Sequence, residues 1–97
     1  MKGSRILGTG SYMPSNVMSN KAIEALVDTS DEWIRERTGI VERRISQGET
    51  TSDLATKAAI EALKDSNVTA KEIDLIIVAT VSADSIIPSA ACKVQKN

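Results

Sequence analysis

Trp33 and Arg37, four positions apart, are the pair in this chain best suited to hold a ligand. Residues at that spacing lie one above the other on a helix face. An indole and a guanidinium would there present two flat, polarisable surfaces side by side. Such a pair grips a planar aromatic ring by stacking and cation–π attraction, and a nucleotide base is the obvious ring. The residues alone also fit a plainer arrangement, a core tryptophan with the arginine laid over its edge. Contacts of that kind are common in folded proteins, so without further information the plainer arrangement is favoured.

Nucleophilic chemistry finds less support. Cys92 is the single cysteine and there is no histidine, which excludes a Cys–His or Ser–His pair within these 97 residues. Cys92 falls in Pro88-Ser89-Ala90-Ala91-Cys92, the first turn of an expected helix, where a thiol can be acidified. Cysteine more often serves as a small buried hydrophobe, and a packing role is the expectation here. One thiol cannot form an internal disulfide and suits a reducing, cytoplasmic compartment. Gly8-Thr9-Gly10 has half the look of a dinucleotide fingerprint, but no third glycine or helix follows, and a plain turn is expected.

The elements that must position these residues follow from periodicity. Ser4–Gly10 reads as a short strand ending in a glycine turn, and Tyr12-Met13-Pro14 leads away from the sheet. Ser19 or Asn20 caps a helix over 21–27 whose apolar side is Ile23, Leu26 and Val27. Thr29 and Glu32 form a capping-box pair opening a second helix, with Asp31 and Arg35 paired along it. Ile34 points inward, Trp33 is partly exposed, and Gly39 closes the helix in the left-handed conformation. Residues 41–46 alternate weakly and suggest an edge strand or an extended connector, with Arg43-Arg44 on a solvated face.

Thr51 or Ser52 caps the longest helix, to Asp65 or Ser66, with an inner stripe of Leu54, Ala55, Ala58, Ala59, Ala62 and Leu63. Asn67 suits its end, and Thr69 and Glu72 repeat the capping-box spacing. Asp74–Thr80 is apolar without alternation, the pattern of a strand buried on both faces. Strand, helix and strand at this spacing predict a right-handed βαβ crossover with a helical insertion over 12–48. Residues 81–87 form a loop at the carboxyl end of the second strand, where α/β proteins usually hold ligands.

Composition narrows the partners. Twelve basic and thirteen acidic residues give a net charge of −1 without a basic stripe, which argues against a nucleic-acid or anionic membrane surface. No apolar run reaches membrane-spanning length, and no signal-peptide core follows Lys2. Tyr12 and Trp33 are the only aromatics, so the core must come from Ala, Val, Ile and Leu, as suits close helix–sheet layers. One small domain is the most that 97 residues allow. A doubly buried strand and an unfinished layer together predict a fragment. Another chain, or a second copy pairing through open strand edges, would complete it.

Three runs carry a family resemblance: GTGSYMP from Gly8, DTSDEWIRERTGI from Asp28 and IIVATVSADSIIPSAAC from Ile76. In their order and spacing they closely resemble the first part of β-ketoacyl-acyl carrier protein synthase III, the condensing enzyme that starts fatty-acid synthesis. The resemblance covers nearly all 97 residues. It implies an incomplete N-terminal part of a thiolase-like fold, with 1–97 a portion of its first half and no complete domain or linker. The family works as a homodimer. It moves an acyl group, typically acetyl, from acyl-coenzyme A to a cysteine, then condenses it with malonyl-acyl carrier protein.

For this chain the resemblance implies a coenzyme A thioester as substrate, with no covalently held cofactor. The reactive cysteine, histidine and asparagine of the family match no residue here, so no catalytic residue is assigned and the chain alone is expected to be inactive. Cys92 matches the helix before the catalytic one. Thr29, Trp33, Arg37 and Thr38 match the mouth of the pantetheine tunnel, where Trp33 and Arg37 would sandwich adenine and the threonines supply hydrogen bonds. Ile87 matches a loop residue that crosses the dimer interface to line the partner's acyl pocket. The alternative is a non-catalytic, self-associating fragment with a partial adenine site.

Overall fold

A computed structural model describes residues 3–97. They form two compact units: Met13–Gly48, and the described residues through Tyr12 together with Glu49–Asn97.

In the 13–48 unit, β1 (Asn16–Ser19) and β2 (Glu42–Ile45) pair antiparallel, with Asn16 opposite Ile45 and Ser19 opposite Glu42. Asn16 and Met18 are half-buried and Val17 and Ser19 exposed, the alternation that a pleated strand imposes. Helices α1 (Asn20–Glu24) and α2 (Asp31–Thr38) fill the connection. α1 is shorter than the helix expected over 21–27. Its Ser19 cap accepts the Ala22 N–H, and the Ile23 carbonyl already accepts from both Leu26 and Val27, tightening the turn until the helix stops. Leu26 and Val27 are consequently exposed, not part of an apolar helix face.

α2 starts one residue later than the capping-box spacing suggests. Ser30 Oγ accepts the Trp33 N–H at 3.1 Å, so Ser30, not Thr29, is the cap and Glu32 is not at the reciprocal position. Asp31 and Arg35 pair at 2.7 Å, Ile34 is buried, and Gly39 closes the helix at φ 73°. Those three expectations hold.

The other unit is built on α3 (Thr51–Ser66). Its cap is Thr50, because Thr50 and Asp53 satisfy each other's N–H reciprocally, at 3.2 and 3.0 Å. Asn67 ends it in the left-handed region, φ 56°, and a 3-10 turn, Ala70–Glu72, follows with Glu72 accepting the Thr69 N–H. α4 (Ala90–Lys96) packs back on α3.

The glycines at 8 and 10 explain why α3 carries an alanine stripe. A Cβ on Gly8 would lie 2.6 Å from Ser66 N, and one on Gly10 would overlap Ala62 N and Ala58 O. The N-terminal segment therefore runs antiparallel to α3, backbone against backbone, along Ser66, Ala62 and Ala58. Thr9 N–H donates to Asp65 at 2.9 Å, and the Tyr12 hydroxyl donates to Glu49, which also takes a bond from Lys57. Lys57 holds the Glu49 carboxyl below its ordinary range, with Tyr12 assisting, and Glu49 in turn raises Lys57. Gly8-Thr9-Gly10 is thus a close-approach segment, not a plain turn.

Two features differ from the sequence pattern. Residues 4–10 and 74–80 form no ladder among the described residues, where β1–β2 is the sheet that does form. A strand exists only through its partner's backbone groups, and apolar content supplies none. In 74–80, moreover, Leu75 and Ile77 are 75% and 81% exposed while Ile76 and Val78 are half-buried. One face is covered, not both. The α/β character stands, with its β pairing at 16–19 and 42–45 and not in a βαβ crossover.

Gly10→Ala is expected to lower stability by about 3 kcal/mol, since α3 backbone atoms cannot yield to a methyl group. Gly3→Ala, with open space around it, should stay within about 0.5 kcal/mol. Urea denaturation of both variants checks the contrast.

Candidate functional site

The candidate site lies on α2 and its flanks. Trp33 is 54% exposed, and Arg37 Cζ sits 5.5 Å from the centre of its ring. The guanidinium therefore already covers one indole face, as in the plainer arrangement, but the indole is not rooted in a core. Arg37 has no hydrogen bond or ion pair among the described residues, so only the contact with the indole restrains it from swinging aside. A base inserted between the two planes needs about 7 Å, twice a stacking distance of about 3.5 Å.

The threonines differ in what they can offer. Thr29, half-buried just before the α2 cap, has no hydrogen bond among the described residues and can donate or accept. Thr38 Oγ1 donates to the Ile34 carbonyl at 2.7 Å and accepts the Ile40 N–H at 3.1 Å. Its proton is committed within the helix end, which leaves it an acceptor only. Ile87 belongs to the other unit and is exposed. Cys92 is exposed as well, on the side of α4 opposite the covered Ala90 and Val94, so the packing role expected for it is not seen.

One positioning residue escaped the sequence pattern. Asn20, 1% exposed, donates through Nδ2 to Asp31 Oδ1 at 2.8 Å and to the Ile40 carbonyl at 2.7 Å. Its Oδ1 accepts from Arg43 at 2.9 Å, and its N–H donates to the Val41 carbonyl. A single buried amide thus brackets both ends of α2. Glu24 adds a carboxylate oxygen to the Asp31 N–H, filling another donor of the first turn.

No family model matches the chain. The β-ketoacyl-acyl-carrier-protein synthase III of Clostridium kluyveri is 58% identical over all 97 residues, which span 30% of that protein. The corresponding synthase of Clostridium botulinum is 55% identical over 96 residues. Among solved structures, the 3-oxoacyl-acyl-carrier-protein synthase III of Aquifex aeolicus superposes with a TM-score of 0.93 and 53% identity, over 97% of this chain and 30% of that one. The chain matches an N-terminal portion of the β-ketoacyl-acyl carrier protein synthase III family. A priming β-ketosynthase of the R1128 polyketide pathway, 36% identical, superposes with a TM-score of 0.90. The α/β fragment expected from the resemblance is therefore present, and the chain spans about a third of the length of the synthase III relatives it matches.

Asn20→Ala should cost about 2–4 kcal/mol, because the Arg43 guanidinium and the Ile40 carbonyl lose a buried partner together. With α2 released at both ends, the fluorescence anisotropy of Trp33 should fall. Urea midpoint and anisotropy, measured on the same sample, check both effects.

Proposed function

We propose that this chain supplies the adenine end of the acyl-coenzyme A site of a condensing enzyme that initiates fatty-acid synthesis. In that enzyme an acyl group passes from coenzyme A to a cysteine and is then condensed with malonyl-acyl carrier protein. The observation that carries the reading is the exposed, otherwise unbonded Trp33–Arg37 pair on a helix held at both ends, in a chain 58% identical to a synthase III. Arg37 swings off the indole to admit adenine between them. Thr29 donates or accepts at the base edge, and Thr38 accepts. Ile87 contributes to the acyl pocket of a partner subunit, where an aliphatic side chain leaves more room than an aromatic one. The compartment is the cytoplasm, with a lone thiol and no disulfide consistent with it. The chain by itself binds without catalysing, since it has no histidine and Cys92 takes no part.

Trp33 is the only tryptophan, so its fluorescence reports the pair directly. Coenzyme A and 3′,5′-adenosine bisphosphate should both quench it, with a Kd on the order of millimolar, whereas pantetheine without the base should not. Arg37→Ala should weaken the effect several-fold. Micromolar coenzyme A binding by calorimetry that survives Trp33→Ala would overturn the assignment.

A second reading has its own observation. Ile6, Leu7, Leu75 and Ile77, all in one unit, are large apolar side chains left exposed. In this reading the chain is a non-catalytic fragment that associates with a second copy. Concentration-dependent sedimentation together with Trp33 fluorescence that coenzyme A leaves unchanged would favour it, and a monomer at every concentration would exclude it.

A further inference from the structure

Residues 81–87 turn Val81, Ile86 and Ile87 almost wholly into solvent, so no apolar contact of these side chains secures the loop. The contacts that do secure it are polar and converge on the first turn of α3. Thr51 Oγ1 donates to the Ser82 carbonyl at 2.7 Å, and the Ser52 N–H donates to Asp84 Oδ1 at 2.9 Å. From α4, Lys93 Nζ reaches Asp84 Oδ2 at 3.4 Å. The Asp84 side chain is 9% exposed although it lies in a loop, and Ser52 beneath it is 2% exposed. Within the loop, Ser82 N–H donates to Thr80 Oγ1 and Ser85 Oγ donates to the Pro88 carbonyl.

The Ser52 hydroxyl is buried without a well-aligned partner. Its nearness to the carboxylate is still the foremost influence favouring the charged form of Asp84. Hydroxyl, backbone N–H and the Lys93 ammonium together hold the Asp84 carboxyl at about 2 against the desolvation that would raise it. Asp53, in the same first turn, is a like charge facing it, and its own carboxyl is committed to Thr50.

We propose that Asp84 is the positioning residue of this loop: its carboxylate, seated on the α3 N-terminus and paired with α4, sets where Ile86 and Ile87 are presented. Three elements meet at one side chain, and among the described residues no other hydrogen bond or ion pair of 81–87 joins the loop to both helices through a single group. The fixing of the loop stands apart from any function. That the fixed surface selects acyl chains rests on the reading of Ile87 given above.

The charge makes the device testable. The carboxyl titrates below its ordinary value of 3.8, so the restraint is complete above about pH 4 and is lost as the pH falls through about 2. In the full chain, the amide resonances of Ser52 and of residues 81–87 should titrate together with that low midpoint, and the transition should vanish in Asp84→Asn. At neutral pH, Asp84→Ala should speed amide exchange in 81–87 by about tenfold and leave the Thr9 amide, bonded to Asp65, unchanged. Titration of Ser52 near 3.8, its persistence in Asp84→Asn, or unaltered loop exchange in Asp84→Ala would each overturn the proposal. If Asp84→Ala does not fold, the titration of the unmodified chain decides alone. Should the loop loosen while acyl-chain preference in a synthase carrying this segment stays constant, the positioning role stands and only the Ile87 reading fails.

Discussion

The 13–48 unit depends on one buried amide. Asn20 has two side-chain donors and one carbonyl, and every one of them is used, on Asp31, Ile40 and Arg43. A buried amide with a missing partner is costly, whereas a fully satisfied one specifies a single arrangement. Here it ties the first turn of α2, the residue just beyond Gly39, and β2 to the start of α1. With Ile34 and Pro14 the buried apolar side chains of this unit, polar satisfaction takes over part of the ordering role that a larger apolar core would have. The outward face of α2 is then free of packing duty, which is why Trp33 and Arg37 can both stand on it.

In the other unit, ordering rests on close backbone approach. Gly8 and Gly10 let the N-terminal segment lie directly on α3, and Ala58 and Ala62 keep the facing surface low. Dispersion contacts at that separation are dense, but they cover only one side of each segment. Leu75, Ile77 and Ile6 remain open. A chain spanning 30% of the synthase III relatives superposes on the Aquifex aeolicus synthase at a TM-score of 0.93 with those faces uncovered. The chain follows the same path as that synthase although these faces have no cover among the described residues.

What was legible in the sequence was local. Gly39 and Asn67 as helix stops, the Asp31–Arg35 pair, the exposed Trp33 and the inward Ile34 all depend on residues within one turn. Even local rules slip by one position where two caps compete, as with Ser30 over Thr29 and Thr50 over Thr51. The misses were non-local. β1 could not be seen because Asn-Val-Met-Ser has little strand character until Glu42–Ile45 pairs with it. The 74–80 run could not announce which of its faces would be covered. Gly8-Thr9-Gly10 looked like a turn because a glycine needed for backbone approach and one needed for a positive φ are indistinguishable as letters. Asn20 offered only a capping signal. Nothing in its neighbours reveals that Ile40 and Arg43 will close over it.

The adenine reading turns on a competition between two stacking partners for one indole face. Arg37 already gains roughly 0.5–1 kcal/mol there as an exposed cation–π contact. A base stacked on an aromatic side chain contributes roughly 1–3 kcal/mol. Displacing the guanidinium therefore costs a good part of what the base brings, unless Arg37 settles on the opposite face of the base and recovers its contact. The second outcome makes the sandwich, and it needs Arg37 to be unbonded elsewhere, as it is. An arginine tied to Glu36 or Asp31 could not follow the base, but Asp31 is already engaged by Arg35 and Asn20. Asp31 also lies six residues from Arg37. The positions four and three before Arg37 are Trp33 and Ile34, so no carboxylate one turn back competes for the guanidinium when a base arrives.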